Sequence, residues 1–175
     1  RVDRRQRQMC IRDRNNIMID LNQPFSFDVD VFLGCNGGGA DGIAFVLQPV
    51  STSLGSNGGG IGYQSISPSF AVEFDTWLNN GYSDPWYNHA AIQKNGNLNH
   101  IGNSNLAGPV GFPPTGFSSI EDCQWHKAIF NWDPATTNFT LDFDGVQILN
   151  YTVDIVNTIF NGNPNVYWGF TGSTG

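Results

Sequence analysis

Positive charge is scarce in this 175-residue chain. Of its 8 Lys and Arg, six (Arg1, Arg4, Arg5, Arg7, Arg12 and Arg14) fall in the first fourteen positions. From Asn15 onward only Lys94 and Lys127 stand against thirteen carboxylates. A formal net charge of −7 argues against a nucleic-acid backbone as partner, since binding phosphates takes a basic surface. No run of eighteen apolar residues occurs, so no segment reads as a membrane-spanning helix. Charged residues reach only 13% while Gly takes 21 positions, too few charges and too many glycines for a helical bundle. Hydrophobic residues at 39% and aromatic residues at 13% exclude a disordered chain. The length suits one domain with a proper core.

The break in composition after Arg14 marks residues 1–14 as a non-native segment, and Met9-Cys10-Ile11-Arg12-Asp13 reads like a translated sequencing-adapter end. A genuine basic arm is the alternative. The domain proper is then 15–175. Setting Cys10 aside leaves Cys35 and Cys123, which are either one disulfide of an exported protein or two unrelated buried thiols.

What is abundant is period-two alternation. Phe25, Phe27, Val29, Val31 and Leu33 point one way, with Ser26, Asp28 and Asp30 between them, as in a half-buried antiparallel strand. Further strands are expected at Ile17–Leu21, Gly42–Gln48, Ser69–Thr76, Ala90–Lys94, His126–Trp132, Phe139–Phe143, Val146–Tyr151 and Val166–Thr171. Turn signals separate them: Asn36-Gly37, Asn57-Gly58, Asn95-Gly96, Asp133-Pro134 and Asp144-Gly145, the last being the strongest hairpin signal. A helical turn is expected only within Asp154–Phe160. The class is all-β, with two packed antiparallel sheets.

The segment Ala71-Val72-Glu73-Phe74-Asp75-Thr76-Trp77-Leu78-Asn79, running on to Asp84-Pro85 and His89, carries the chemistry. Glu73 and Asp75 lie two apart on a strand, so both carboxylates leave the same face. Two such charges buried side by side are unfavourable unless a cation lies between them. The polar loop that follows can fold back and deliver Asp84 and then His89. Glu73, Asp75, Asp84 and His89 offer three carboxylates and an imidazole, a set suited to a transition ion such as Mn²⁺. Asp75, Asp84, the Asn79 side-chain oxygen and a backbone carbonyl near Trp77 are all oxygen donors and suit Ca²⁺. Read alone, an E-x-D pair is more often a solvated acidic edge.

The whole stretch resembles the metal-binding segment of the legume-type (L-type) lectins, the concanavalin A family, in residue type and spacing from Glu73 to His89. Three other marks follow in the family's order: Gly39-Ala40-Asp41-Gly42-Ile43-Ala44-Phe45, the Gly-rich Gly58-Gly59-Gly60-Ile61-Gly62-Tyr63, and Trp168-Gly169-Phe170-Thr171-Gly172-Ser173-Thr174-Gly175. The resemblance implies a jelly-roll β-sandwich truncated at both ends. It further implies non-catalytic, Ca²⁺/Mn²⁺-dependent binding of a glycan or glycoconjugate. Its sugar site would fall on Asp41 (after a cis Ala40–Asp41 bond), the Gly60 backbone N–H, the Trp77 ring and the Asn79 amide. Its metals would fall on Glu73, Asp75, Asp84, His89, Asn79 and the Trp77 carbonyl. The marks look like those of lectin modules in secreted or surface bacterial proteins, part of a larger multidomain or multivalent chain.

Ala90-Ala91 departs from the family's Ile-Gly after the His. Trp86 and Tyr87 read as an extended sugar platform or as packing, and His100 and His126 as structural. Two other functions compete: a calcium-stabilised adhesion module that binds protein, and a jelly-roll glycoside hydrolase. The hydrolase needs E-x-D-x-E or E-x-D-x-x-E for its carboxylate pair. Here Trp77 or Leu78 stands at the acid/base position, and neither carries a proton.

Overall fold

The computed structural model describes residues 11–56 and 58–174. Among the described residues, the strands are β1 (Ile11–Asp20), β2 (Phe25–Val31), β3 (Asp41–Gln48), β4 (Phe70–Asp75) and β5 (His89–Lys94). They continue as β6 (Asn105–Gly111), β7 (His126–Asp133), β8 (Asn138–Phe143), β9 (Val146–Thr152) and β10 (Asn165–Thr174), with one helical turn, α1 (Ile155–Thr158). All pairings are antiparallel, in a six-stranded sheet ordered β1-β10-β3-β4-β5-β6 and a four-stranded sheet ordered β2-β7-β8-β9. The expected all-β sandwich is therefore what the chain forms.

Alternation builds the core between the sheets. Phe25, Phe27, Val29 and Val31 of β2 face it while Ser26, Asp28 and Asp30 face water. Phe45 of β3 stacks on Phe130 of β7 at 4.7 Å between ring centres, and Phe27 of β2 stacks on Trp168 of β10 at 4.2 Å. Each ring fully removed from water contributes about 1.5–3 kcal/mol.

Strands β3 and β4 behave differently, being buried almost along their whole length. Their Phe45, Leu47, Phe70, Val72 and Phe74 join the main core, whereas the alternate residues Ala44, Val46 and Ala71 pack outward into a second cluster with Ile61, Tyr63, Ile66 and Leu98. The connection between β3 and β4, residues 49–69, folds back over the outer face of the sheet and supplies most of that cover. The outer face of β4 is thereby dry, and Glu73 and Asp75 point into it.

The sequence reading differs from the structure in three places. Strand β6 was not anticipated, because Gly108 and Pro109 read as turn residues. At a sheet edge a proline is tolerated, since its missing N–H faces outward. Strand β1 starts earlier than expected, with Ile11–Arg14 paired against Gly169–Gly172 before a register shift to Met18. Thus four residues of the segment set aside as non-native lie in the sheet, and residues 1–10 fall outside the described ones. Leu21, expected in that strand, leaves it for the core, where its carbonyl accepts the Trp132 indole N–H at 2.8 Å. Of the turn signals, Asp144-Gly145 joins β8 to β9 as expected, while Asn57 lies outside the described residues.

Cys35 and Cys123 form a disulfide, resolving the alternatives left open by the sequence. It ties the segment after β2 to the segment before β7 across a separation of 88 residues. Closing so long a loop removes much freedom from the unfolded chain. Cys35→Ser with Cys123→Ser is expected to lower unfolding stability by about 2–5 kcal/mol, measured by urea denaturation beside the oxidised parent. An unchanged midpoint would show that the bridge is not stabilising.

Candidate functional site

The register of β4 and β5 builds the first part of the site. Asp75 lies opposite His89 and Glu73 opposite Ala91, whose methyl leaves room above it. Glu73, Asp75 and His89 are 1%, 2% and 1% exposed. After β4 the chain turns back on itself: the Trp77 N–H donates to Asp75 Oδ1 at 2.8 Å, and the Asn79 N–H donates to Asp84 Oδ2 at 2.6 Å. A 3₁₀ turn at Asn80–Tyr82 completes the reversal and brings Asp84 over the strand end. Donor atoms of Asp75, Asp84 and His89 lie within 4.8 Å of one another. The four metal-type residues expected from sequence thus gather beneath one loop.

A fifth residue joins them. His100, read from sequence as structural, sits with donor atoms within 4.8 Å of those of Glu73 and His89. Its Nε2 stands 2.9 Å from His89 Nε2 and 3.4 Å from both Glu73 Oε1 and Asp84 Oδ1. The β5–β6 connection holds it there: the His100 N–H donates to the Tyr82 carbonyl at 2.9 Å, and its carbonyl accepts from Asn105 Nδ2 at 3.1 Å. No local spacing in the sequence signals these long-range ties.

The electrostatics are those of a buried acidic pocket in which the ionised carboxylates are disfavoured. Burial first, then the charge of Glu73, raises the Asp75 carboxyl to about 9. Burial also raises Glu73 to about 7, against the lowering influence of His100 and of the Tyr63 hydroxyl that donates to its Oε2. Burial and the neighbouring His100 lower His89 to about 4, keeping its imidazole neutral. The His89 Nδ1 faces the Tyr87 carbonyl at 3.2 Å and so carries the proton, which leaves Nε2 with its lone pair turned inward. Glu73 Oε1 and Asp84 Oδ1 are buried and accept no hydrogen bond among the described residues. Orphaned carboxylate oxygens and a neutral imidazole lone pair converging on one point fit a divalent cation, which reverses the unfavourable ionisation of the acids. The donor set of two or three carboxylates with imidazole suits a transition ion. The carboxylate oxygens of Asp75 and Asp84, beside the Trp77 carbonyl, suit Ca²⁺.

The candidate sugar residues lie against this cluster. The Ala40–Asp41 peptide bond is cis, as the resemblance implied. Asp41 opens β3 beside Asp75: its carbonyl accepts the Thr76 N–H at 3.1 Å, and Gly42 pairs with Asp75. Gly42 has φ +138°, and a Cβ there would come within 2.2 Å of the Phe74 carbonyl oxygen, so no other residue fits. Ser173 Oγ of β10 bridges Asp41 Oδ2 at 3.1 Å and the Gly58 carbonyl at 2.6 Å. Gly59 then lies against Asn79, whose Oδ1 would be 2.9 Å from a Cβ on that glycine. Gly60 is buried within its own loop, and a side chain there would meet Ser56 and Gln64 first. The need for glycine at 60 is therefore internal packing, and Gly59 is the close approach to Asn79 that the sequence reading missed. Trp77 is half-exposed, 45% open to solvent. Trp86, left open between platform and packing, stands 74% exposed and stacks on Phe117 at 5.4 Å.

A family model described as the Legume lectin beta-barrel domain matches residues 14–175. This chain belongs to that lectin family. Among curated relatives, the lectin domain is 30% identical over 156 residues to the pesticidal crystal protein Cry22Aa of Bacillus thuringiensis, covering 77% of this chain and 20% of that protein. It is 29% identical over 182 residues to the probable L-type lectin-domain containing receptor kinase S.7 of Arabidopsis thaliana, covering 91% of this chain and 24% of that one. The chain thus spans about a quarter or less of these relatives' lengths. Among solved structures, lectin II from Ulex europaeus superposes with a TM-score of 0.70 at 21% identity, over 96% of this chain and 75% of that one. The shared fold is the legume-lectin sandwich.

Within this lectin domain the Tyr63 hydroxyl donates a side-chain hydrogen bond to Glu73 Oε2. Tyr63→Phe removes it at the price of little volume. The expected effect is a loss of about 1–3 kcal/mol in unfolding stability with the metals chelated, read by urea denaturation. A midpoint equal to the parent's would show that the hydroxyl does not hold Glu73.

Proposed function

We propose that this lectin domain binds glycans without catalysis and that Ca²⁺ and a transition ion such as Mn²⁺ organise its sugar site. The observation that supports this most is continuity between the two groups of residues. Asp41 is bonded to the backbone next to Asp75, and Asn79 shares Asp84 with the carboxylate cluster. Trp77 hangs from Asp75 through its N–H. Glu73, Asp75, Asp84 and His89 would hold the transition ion, and Asp75, Asp84, Asn79 and the Trp77 carbonyl would hold Ca²⁺. When bound, the cations neutralise the buried acids and fix the loop that carries Trp77 and Asn79.

The chain's own groups then do the recognition. Asp41 accepts hydrogen bonds from two sugar hydroxyls, and the Gly60 backbone N–H donates one. Asn79 lies with Nδ2 3.4 Å from the Trp77 carbonyl. Turned over, its carboxamide directs Oδ1 beside that carbonyl and Nδ2 away from it as a donor. The Trp77 ring lies under the apolar face of the sugar. Hydrolysis is disfavoured because Trp77 and Leu78 occupy the positions where a retaining glycosidase needs its second carboxyl.

Affinity for a monosaccharide at one such site is on the order of millimolar, about −4 kcal/mol. Useful avidity then requires several copies or a longer parent protein. The Cys35–Cys123 bridge supports an oxidising, extracellular location, either secreted or at a cell surface. No described helix is long and apolar enough to cross a membrane.

Screening the full chain on a glycan array with Ca²⁺ and Mn²⁺, and again in EDTA, tests the reading. Glycan binding that disappears with chelator is expected. Asp84→Ala should remove both metal and glycan binding. Asp41→Ala should remove glycan binding and leave metal uptake intact. Binding to a protein partner that survives Asp41→Ala, with no glycan retained in either buffer, would favour the adhesion module instead.

A further inference from the structure

The resemblance supplies one imidazole to the transition-ion seat, His89, whereas the folded chain brings in two. We propose that His100 is a direct ligand of that seat, together with Glu73, Asp75, Asp84 and His89, and that this second imidazole widens the site's preference for later divalent ions such as Ni²⁺ or Zn²⁺ over Mn²⁺. The inference rests on the metal-binding part of the function proposed above, and adds a ligand and an ion preference to it.

Three observations carry it. First, the spacing fits. Nitrogen and oxygen ligands about 2.0–2.2 Å from one ion stand roughly 2.9–3.5 Å apart when adjacent in a tetrahedral or octahedral sphere. His100 Nε2 meets that spacing toward His89 Nε2 at 2.9 Å and toward Glu73 Oε1 and Asp84 Oδ1 at 3.4 Å. Second, those two carboxylate oxygens are the ones that accept no hydrogen bond among the described residues, and both side chains are 1% exposed. Oxygens that are buried, unpartnered and aimed at the same nitrogen define a shared point between them. Third, His100 is itself buried, its side chain 3% exposed, and it is fixed from behind. Its backbone is tied to Tyr82 and Asn105, and its Nδ1 stands 2.9 Å from Gln93 Nε2.

The Gln93 contact also supplies the proton arrangement. As the atoms stand, Gln93 donates to His100 Nδ1, so the neutral ring carries its proton on Nε2, directed at His89. The Gln93 Oε1 accepts nothing among the described residues. Turning the carboxamide over offers that oxygen to an Nδ1–H, so the ring adopts the other tautomer with the same number of protons. His100 Nε2 then presents a lone pair to the seat, held by Gln93 as His89 is held by the Tyr87 carbonyl. Gln93 is thus a positioning residue for His100. Affinity rises from Mn²⁺ to Ni²⁺ and Cu²⁺ at most sites, and the rise steepens when a second imidazole replaces an oxygen ligand, since imidazole suits the later ions and oxygen suits Mn²⁺.

The test loads the full chain with one equivalent of Cu²⁺ and counts coordinated nitrogens by electron paramagnetic resonance, then repeats it on His89→Gln and His100→Gln. Two imidazole nitrogens in the parent and one in each variant are expected. Calorimetric titration with Ni²⁺ and Mn²⁺ should show Ni²⁺ preferred in the parent, with the ratio of affinities narrowing about tenfold or more in His100→Gln. One nitrogen in the parent, lost in His89→Gln and kept in His100→Gln, overturns the inference and leaves the metal-dependent lectin reading standing. Failure to take up any divalent ion overturns both. If His100→Gln does not fold, the parent and His89→Gln spectra, both recorded with His126→Gln, decide the matter, because the chain has three histidines and an imidazole nitrogen retained without His89 and His126 comes from His100. Glycan binding is measured separately, so its loss alone does not bear on the nitrogen count.

Discussion

Glu73 and Asp75 leave β4 on the side facing away from the main core, and that side is covered by protein rather than water. Two carboxylates within one strand, each almost wholly enclosed, are both raised in pKa by burial, and the charge of Glu73 raises Asp75 further while that of Asp84 adds to the rise of Glu73. Much of the surrounding structure can be understood as the means of enclosing that pair and satisfying it. Tyr63 closes the pocket from the β3–β4 connection and donates to Glu73. The loop after β4 ties itself to Asp75 and Asp84 through backbone N–H groups, and the β5–β6 connection contributes His100. Three separate loops therefore converge on one strand end, and each is anchored by a polar contact to it.

That convergence explains why the candidate sugar residues are scattered in sequence yet adjacent in space. Asp41 is fixed by Ser173 of β10 and by the backbone that follows Asp75. Ser173 also holds Gly58, which places Gly59 against Asn79. Small residues make these approaches possible: Gly42 beside Phe74, Gly59 beside Asn79 and Ala91 opposite Glu73. A recognition surface built this way depends on the buried cluster for its shape.

The sequence displayed most of the fold because most strands keep one wet face, and period two is then visible, as in β2, β7 and β8. Strands β3 and β4 were also legible, as short apolar runs, although the reason for their double burial is the returning 49–69 connection and lies outside any local window. β6 was hidden by Gly108 and Pro109, which signal turns except at a sheet edge. The metal candidates were readable because Glu73 to His89 form one continuous segment of characteristic spacing. His100 was not, since its position depends on the Tyr82 carbonyl, on Gln93 and on Asn105, contacts that no spacing encodes. The same holds for Cys35 and Cys123, whose pairing spans 88 residues.

His126 shows why proximity to two acids is insufficient to make a metal ligand. Its Nδ1 is 2.7 Å from Asp144 Oδ2 and its Nε2 is 3.1 Å from Asp122 Oδ1, so both ring nitrogens are already engaged. Those acids are 41% and 33% exposed on their side chains, and each accepts a further backbone N–H, from Lys127 and Gln124. The ring lies on Phe143 at 5.1 Å, and the arrangement braces the β8–β9 hairpin against β7. Nothing there is both buried and unpartnered. Around His100 the opposite holds: its Nε2 faces two enclosed carboxylate oxygens with no other partner and the lone-pair nitrogen of a second imidazole. The two histidines looked alike as letters in a sequence, and what separates them is whether the acids beside them have already been satisfied by water and backbone.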